Sequence, residues 1–278
     1  DGSSKFDRSN RNSYFPAFAT AWRIDQENFL NEEVWLSNLK LRIGWGKTGN
    51  QGINPFQTQN VYRNVSYTTH EGGIMVGMVP SLIANKDLVW ESTIQTNIGV
   101  DFGIFNNRLS LTAEWYHKKT TDLLQEMDAP LSAGFSTITV NRGAILNKGY
   151  EFSLEATPIH KPNFSWNFSG NISFNRNKIV ELGLAPGLFG GEEMIAFLGN
   201  NIASSADIQY PVNIFIEGRP AGLFWGYQTD GIWQNNDDAL QYSYAGVPMQ
   251  AGDVRFIDQN DDKTIDSSDM VVIGDPNP

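Results

Sequence analysis

The sequence predicts an all-β protein whose antiparallel strands, about six in number, belong to a large transmembrane β-barrel. Three observations support this fold class: apolar and polar residues alternate along the strands, the strands are long, and short and long connectors alternate between them. A soluble β-sandwich would also show the alternation. The strand lengths and the connectors therefore favour the barrel.

The clearest hairpin lies in residues 91–121, where two strands are joined by the tight pair Asn106-Asn107. From Ile98 to Ile104 and from Leu109 to Trp115 every second residue is apolar, and those between are polar or small. A tilted membrane-crossing strand needs about nine to eleven residues, whereas a soluble strand usually has about five or six. The residues predicted to face lipid include Ile94, Ile98, Val100, Phe102, Ile104, Leu109, Leu111, Ala113 and Trp115.

The other strands are predicted from the same alternation at 14–24, 39–46, 150–157 and 164–175. Long connectors at about 49–90 and 122–142 are predicted to be extracellular loops, because outer-membrane barrels have short periplasmic turns and long outer loops. We therefore expect barrel strands in 1–177 and a long extracellular loop region in 178–278. Several Trp residues near strand ends fit an interfacial aromatic girdle: Trp22, Trp45, Trp90, Trp115 and Trp166.

Composition excludes several classes of protein. The chain has no Cys, which removes disulfides, zinc-thiolate sites and thiol nucleophiles. Its net charge of −11 argues against a nucleic-acid binder. No apolar run is long enough for a membrane-spanning helix. The chain opens on a polar stretch at Asp1 with no signal peptide, so we expect a targeting segment upstream.

No catalytic set is visible in the sequence. The three His residues, His70, His117 and His160, are scattered, and there is no G-x-S-x-G motif or phosphate-binding glycine loop. We therefore expect no enzymatic activity. Aromatic residues of the loops are expected to pack against one another, and none is assigned to substrate binding.

An EF-hand-like acidic loop lies at 258–269. Oxygen-bearing side chains occupy loop positions 1, 3, 5, 7, 9 and 12, the spacing with which a twelve-residue loop wraps Ca²⁺. Lys263 stands where such loops normally have Gly, Asp269 is shorter than the usual Glu, and a solvated acidic turn is the alternative. If the loop binds, we expect a structural Ca²⁺ and no other cofactor. The predicted ligands are Asp258, Asn260, Asp262, Thr264 through its carbonyl group, and Asp269.

Five runs resemble, in the same order, the C-terminal barrel portion of SusC/RagA-type TonB-linked outer-membrane transporters of Bacteroidetes. They are YFPAFATAWRI, WLSNLKLRIGWGKTGNQGI, NKGYEFSLEATP, GLFWGYQTDGIWQ and GDVRFIDQNDDKTIDSSDMVVIGDPNP. The resemblance implies a 22-stranded barrel with an N-terminal plug, a SusD-like surface lipoprotein as partner, and energy delivered by TonB. The cargo of this family is oligosaccharide or peptide.

The resemblance implies that the chain is part of such an importer in the outer membrane of a Gram-negative bacterium. Six strands cannot close a ring, and we expect TonB to act through a segment absent from this chain. The alternative is a secreted calcium-binding β-sandwich module for carbohydrate or surface adhesion. A barrel would point four apolar side chains outward and a sandwich would bury them: Ile98, Phe102, Leu111 and Trp166.

Overall fold

The computed structural model describes residues 1–30, 35–70, 72–128, 132, 134–135, 137–183, 195–198 and 213–277. The chain divides into two compact units, Asp1–Leu184 and Ala185–Pro278. The strands of the first unit are β1 (Ala17–Arg23), β2 (Leu36–Asn50), β3 (Tyr62–Thr68), β4 (Ile74–Pro80), β5 (Glu91–Ile104), β6 (Leu109–Thr121), β7 (Leu124–Asp128), β8 (Thr137–Asn141), β9 (Ala144–Lys161) and β10 (Phe164–Glu181).

Six of these strands form one antiparallel sheet in the order β1-β2-β5-β6-β9-β10. Its five longest strands have 13 to 18 residues, as the long alternating runs predict. Two smaller hairpins, β3–β4 and β7–β8, lie within the predicted long connectors. A 3₁₀ turn, Ile24–Gln26, follows β1.

The turn between β5 and β6 is longer than the predicted Asn-Asn pair. Phe105, Asn106 and Asn107 all have positive φ angles, of 54°, 57° and 57°. Asn tolerates this left-handed conformation better than most residues, which explains why two of the three positions with positive φ carry it.

The strands extend beyond the alternating segments from which they were predicted. The strand predicted at 150–157 begins at Ala144, and the last strand of the sheet runs to Glu181, past the expected boundary at 177. Near these ends polar and charged residues occupy both faces, as Asn175 and Arg176 do. Hydropathy alternation fades there, although the backbone hydrogen bonds continue to Glu181.

A small core ties the N-terminal segment to the residues before β5. It consists of Phe6, Ile53, Leu88 and Trp90, with Phe15 packed against it. The Trp90 ring lies 5.3 Å from both Phe6 and Phe15. Because Trp90 is only 7% exposed, its assignment to an interfacial girdle is wrong: it supports loop packing instead.

The described residues of the second unit form short strands, one turn of α-helix and one 3₁₀ turn. A four-stranded sheet, in the order β11 (Ile195–Leu198), β12 (Asn213–Ile216), β13 (Leu223–Tyr227), β19 (Met270–Gly274), contains a core of Ile214, Ile216 and Leu223. No helix among the described residues is long and apolar enough to cross a membrane. The elements are β11 (Ile195–Leu198), β12 (Asn213–Ile216), β13 (Leu223–Tyr227), β14 (Thr229–Ile232), α1 (Asn236–Ala239), β15 (Ser243–Tyr244), β16 (Val247–Pro248), β17 (Val254–Phe256), β18 (Thr264–Ile265), the 3₁₀ turn Ser267–Asp269, and β19 (Met270–Gly274).

Candidate functional site: the two faces of the sheet and the acidic loop

Strand register gives the six-stranded sheet one continuous apolar face. Directly opposed residues of neighbouring antiparallel strands share a face, so the predicted apolar positions line up in rows across the sheet. One such row consists of Thr20, Ile43, Ile98, Trp115, Tyr150 and Phe174.

The apolar face is exposed in the described part of the chain. Ile98, Leu111 and Trp166 are 40%, 38% and 54% exposed, and Phe102 is half-buried. A soluble sandwich would bury all four side chains between two packed sheets. The exposure fits the barrel and does not fit the sandwich alternative.

The height of this face matches a membrane. Ten residues separate Ile94 from Ile104 on β5, which is about 33 Å along the strand and about 25 Å across a bilayer at a tilt of about 40°. The apolar band of outer-membrane barrels is about 25 Å tall. One strand of this sheet is therefore long enough to cross the hydrocarbon layer.

The opposite face carries a network of charges around Arg42. Its Nε lies 2.9 Å from Asp101 Oδ2 and its Nη2 lies 3.1 Å from Asp101 Oδ1. The same Nη2 lies 3.7 Å from Glu114 Oε2, and Glu151 stands directly opposite Glu114 on the next strand. Arg42 thus contacts one carboxylate on β5 and lies near another on β6. A third carboxylate, that of Glu151 on β9, lies beside them.

Small residues open a hollow of about 350 Å³ on this polar face. Ala19, Ala21, Gly44 and Gly99 line it together with the Arg42 side chain. Hydrogen-bonding groups and small residues of this kind are typical of a barrel wall that faces water. The two faces of the sheet are therefore suited to an apolar environment on one side and to water on the other.

The acidic loop of the second unit adopts tight turns around the Asp258 carboxylate. The main-chain N–H groups of Asp262 and Lys263 donate to Asp258 at 3.3 and 2.7 Å, and the N–H of Thr264 donates to Asp262 at 2.7 Å. Lys263 has a φ of 64°. It adopts the left-handed conformation for which Gly is normally used at this position.

Asp269 closes the two ends of the same loop. Its carboxylate accepts the N–H of Gln259 at 2.8 Å and that of Asp266 at 2.9 Å, and its side chain is fully buried. Ile265, the predicted anchor, is also buried, and its strand β18 pairs with β15. Hydrogen bonds and packing between protein groups thus hold both ends of the loop.

Three predicted ligands lie along one turn of this loop, where Asn260 Nδ2 donates to Asp262 Oδ2 at 2.9 Å and the N–H of Asn260 donates to Asp258 at 3.3 Å. No group of three or more His, Cys, Asp or Glu side chains in the described ranges is placed to hold a metal ion. Calcium binding therefore stays a prediction. Within the same loop, hydrogen bonds donated by the Ser268 hydroxyl and N–H hold the pKa of the exposed Asp266 below its ordinary value.

Loop aromatics of the second unit pack against each other. Ring centroids of Tyr227 and Phe256 lie 5.2 Å apart, and those of Trp233 and Tyr242 lie 5.1 Å apart. The same packing is expected for Phe189 and Tyr210, which lie outside the described residues.

Sequence reasoning missed the role of Arg42. Its partner Asp101 is on β5, and a connector of residues 51–90 separates that strand from β2. The alternation of β2 places Arg42 on the polar face, which was a usable signal. The pairing itself depends on the register between the two strands, which a long connector does not fix.

Comparison with known proteins identifies the family. Residues 1–269 match the family model described as TonB dependent receptor-like, beta-barrel. TonB-dependent receptor P26 of Formosa agariphila is 32% identical over 278 residues, which are 100% of this chain and 27% of that protein. TonB-dependent receptor SusC of Bacteroides thetaiotaomicron is 33% identical over 284 residues, which cover 99% of this chain and 26% of SusC.

Solved structures agree in fold. The RagAB peptide importer in its closed-closed state superposes with a TM-score of 0.74 at 25% identity, over 98% of this chain and 27% of that chain. The RagAB peptide transporter superposes with a TM-score of 0.69 at 29% identity, over 84% of this chain and 23% of that chain.

The predicted fold class and the resemblance to SusC/RagA-type transporters are confirmed by these matches. The chain spans 27% of the length of the first curated relatives it matches. It belongs to the TonB dependent receptor-like β-barrel family of the outer membrane.

Proposed function

We propose that this chain is part of a SusC-like outer-membrane importer of oligosaccharides or peptides. The observation that carries the proposal is that the two faces of the sheet differ. One face is apolar and exposed, and the other is polar and carries a charge network around Arg42. Similarity to SusC over 99% of this chain supports it. So does the fold shared with the RagAB peptide importer.

In this proposal the sheet is one part of the wall between lipid and the transport path. Cargo is captured between the extracellular loops and a SusD-like surface lipoprotein. TonB then supplies the energy that displaces the plug of the importer. Polar-face side chains such as Arg42 and Glu114 line the path with hydrogen-bonding groups, and we propose no enzymatic step for this chain.

The proposal is tested by uptake in the bacterium that carries the full-length gene. We expect deletion of the gene to abolish uptake of either fluorescently labelled peptides or labelled oligosaccharides, and the wild-type gene to restore it. Deletion of TonB should have the same effect. Unchanged uptake of both cargo classes in the deletion strain would contradict the importer.

The partner is tested separately by purification of the full-length protein in detergent. We expect a surface lipoprotein to copurify in a defined ratio and to be recovered from the outer-membrane fraction. Recovery of the full-length protein from the aqueous fraction without detergent would contradict the membrane placement itself.

A further inference from the structure

A group of basic side chains lies on the apolar face of the sheet, near the end that carries the long connectors. We name it the basic belt. Its members come from β2, β6, β9 and β10, and by strand register they point to the same side as Ile98 and Trp115. They are Lys47, His117, Lys119, Lys148, Arg176 and Lys178.

The belt occupies two neighbouring rows. His117, Lys148 and Arg176 are directly opposed on adjacent strands in the first row. In the second row, Lys47, Lys119 and Lys178 alternate with Ile94 and Leu146. Rows are about 6.6 Å apart and strands about 4.8 Å apart, so the charges fall within a patch about 20 Å wide.

The positive charge of the belt is not compensated by acids on the same face. Among the described residues no ion pair involves a member of the belt, and Lys119, Lys148, Arg176 and Lys178 are exposed. On this face of the six strands the one acid is Glu181, which lies at the end of β10 beyond the belt.

The acids of the central strands lie on the opposite, polar face: Asp101, Glu114, Glu151 and Glu155. The polar face therefore carries these carboxylates together with cations such as Lys40, Arg42 and Lys118, whereas the belt cations on the apolar face have no carboxylate beside them.

A row of three aromatic residues lies next to the belt on the same face, on the side toward the middle of the strands. Trp115, Tyr150 and Phe174 each lie two residues from a belt residue on the same strand and face. Aromatic rings prefer the border between hydrocarbon and headgroups. Charges on a lipid-facing surface are costly at the centre of a bilayer and nearly free of cost at its edge, where long basic side chains reach the headgroups.

We propose that the basic belt binds the headgroup of a phosphate-bearing lipid in the outer leaflet of the membrane. Arg pairs with phosphate through two parallel hydrogen bonds and Lys supplies point charges. The belt offers both, because Arg176 is directly opposite Lys148 and lies two residues from Lys178 on β10. The outer-leaflet assignment rests on the proposed function, because it takes the long connectors to be extracellular, but it does not depend on the cargo.

The proposal is tested with the full-length protein in detergent and with lipid A that carries two phosphates. Native mass spectrometry would count the lipid molecules retained by the wild type and by the double variant Lys148→Gln/Lys178→Gln. The matched control is Lys40→Gln/Lys118→Gln, which removes the same charge from the polar face. We expect the belt variant to bind at least tenfold more weakly and the control to bind as the wild type does.

A second measurement keeps the proposal testable if the belt variant does not fold. Wild-type protein is mixed with lipid A from which both phosphates have been removed, and we expect at least tenfold weaker binding. Equal binding of the two lipids, or equal binding by the belt variant and the wild type, would overturn the proposal. Cargo uptake is not measured here, so a negative result leaves the importer proposal intact.

Discussion

Arg42 and Asp101 form a two-point ion pair across β2 and β5, with contacts of 2.9 and 3.1 Å. The same guanidinium lies 3.7 Å from Glu114. The Arg42 guanidinium therefore neutralises part of the negative charge of both carboxylates. We expect Arg42→Ala to lower the free energy of unfolding because it removes that charge. The loss should be about 1 kcal/mol, since the pair is partly exposed, and smaller at high salt. Denaturant unfolding of the full-length protein in detergent, followed by Trp fluorescence, measures it.

The control for this prediction is Lys118→Ala. Lys118 is exposed on the same polar face, opposite Gln95, and forms no ion pair within the described ranges. Arg42→Lys should fall between the two, because Lys cannot make both contacts with Asp101. An equal loss in Arg42→Ala and Lys118→Ala would show that the network adds nothing specific.

Substitution of three glycines on the polar face would measure how closely this face of the sheet is packed. A Cβ added at Gly44 meets nothing within 4 Å, one at Gly99 lies 2.8 Å from Arg42 Nη2, and one at Gly149 overlaps the Phe174 carbonyl oxygen. We expect Gly149→Ala to cost about 1–3 kcal/mol, because backbone cannot move aside as a side chain can. Gly99→Ala should cost less, and Gly44→Ala should be neutral or stabilising. The same unfolding measurement ranks them, and a different order would contradict the packing.

Alternation predicted the strands and their faces but not all of their ends. The face of each residue follows from a period of two, so the apolar positions of β5 and β6 were predictable. The ladder continues where Arg176 and Lys178 replace apolar residues. At that point the sequence no longer alternates in hydropathy, because a membrane surface accepts cations that its centre does not.

Long-range pairing was not predictable in the same way. Within the β5–β6 hairpin a short turn fixes the register. Between β2 and β5 a connector of residues 51–90 leaves the register open, so the contact between Arg42 and Asp101 had no sequence signal. The acidic loop lies between these cases: its spacing was visible, whereas the burial of Asp269 depends on how its neighbours pack.

The core around Leu88 holds the N-terminal segment against the loop before β5. Leu88 is fully buried and packs with Phe6 and Trp90. We expect Leu88→Ala to lower the local stability by about 2–5 kcal/mol, as truncation of a buried Leu usually does. Limited proteolysis of the full-length protein should show faster cleavage within residues 1–16. Tyr14→Ala is the control, because Tyr14 is 89% exposed; equal cleavage rates in the two variants would contradict this role.

The lowered pKa of Asp266 leads us to expect that the stability of the turn at 267–269 depends on pH. Its pKa lies below the ordinary value because the Ser268 hydroxyl and N–H donate to its carboxylate. The folded pKa is therefore below the unfolded pKa of about 3.9, so the stabilisation is present above that value and is lost as pH falls through the folded pKa. Pepsin cleavage within 253–274, normalised to an unfolded substrate, should begin at higher pH in Ser268→Ala than in the wild type. Ser267→Ala is the control; identical profiles for all three would contradict the assignment.

Calcium binding by the loop 258–269 is tested through protection of the segment around it. We expect Ca²⁺ to slow proteolysis within 253–274 of the full-length protein, and Asp262→Asn to weaken the apparent affinity by about an order of magnitude, because it removes a charged oxygen ligand. Asp261→Asn is the matched control: it removes the same charge from a residue outside the predicted ligand set, and its φ of 61° suits Asn. Lys263→Gly should strengthen binding, since Gly adopts the left-handed conformation of that position without strain. If chelation of Ca²⁺ leaves cleavage unchanged in the wild type, the acidic residues form a solvated turn and the predicted metal site is wrong.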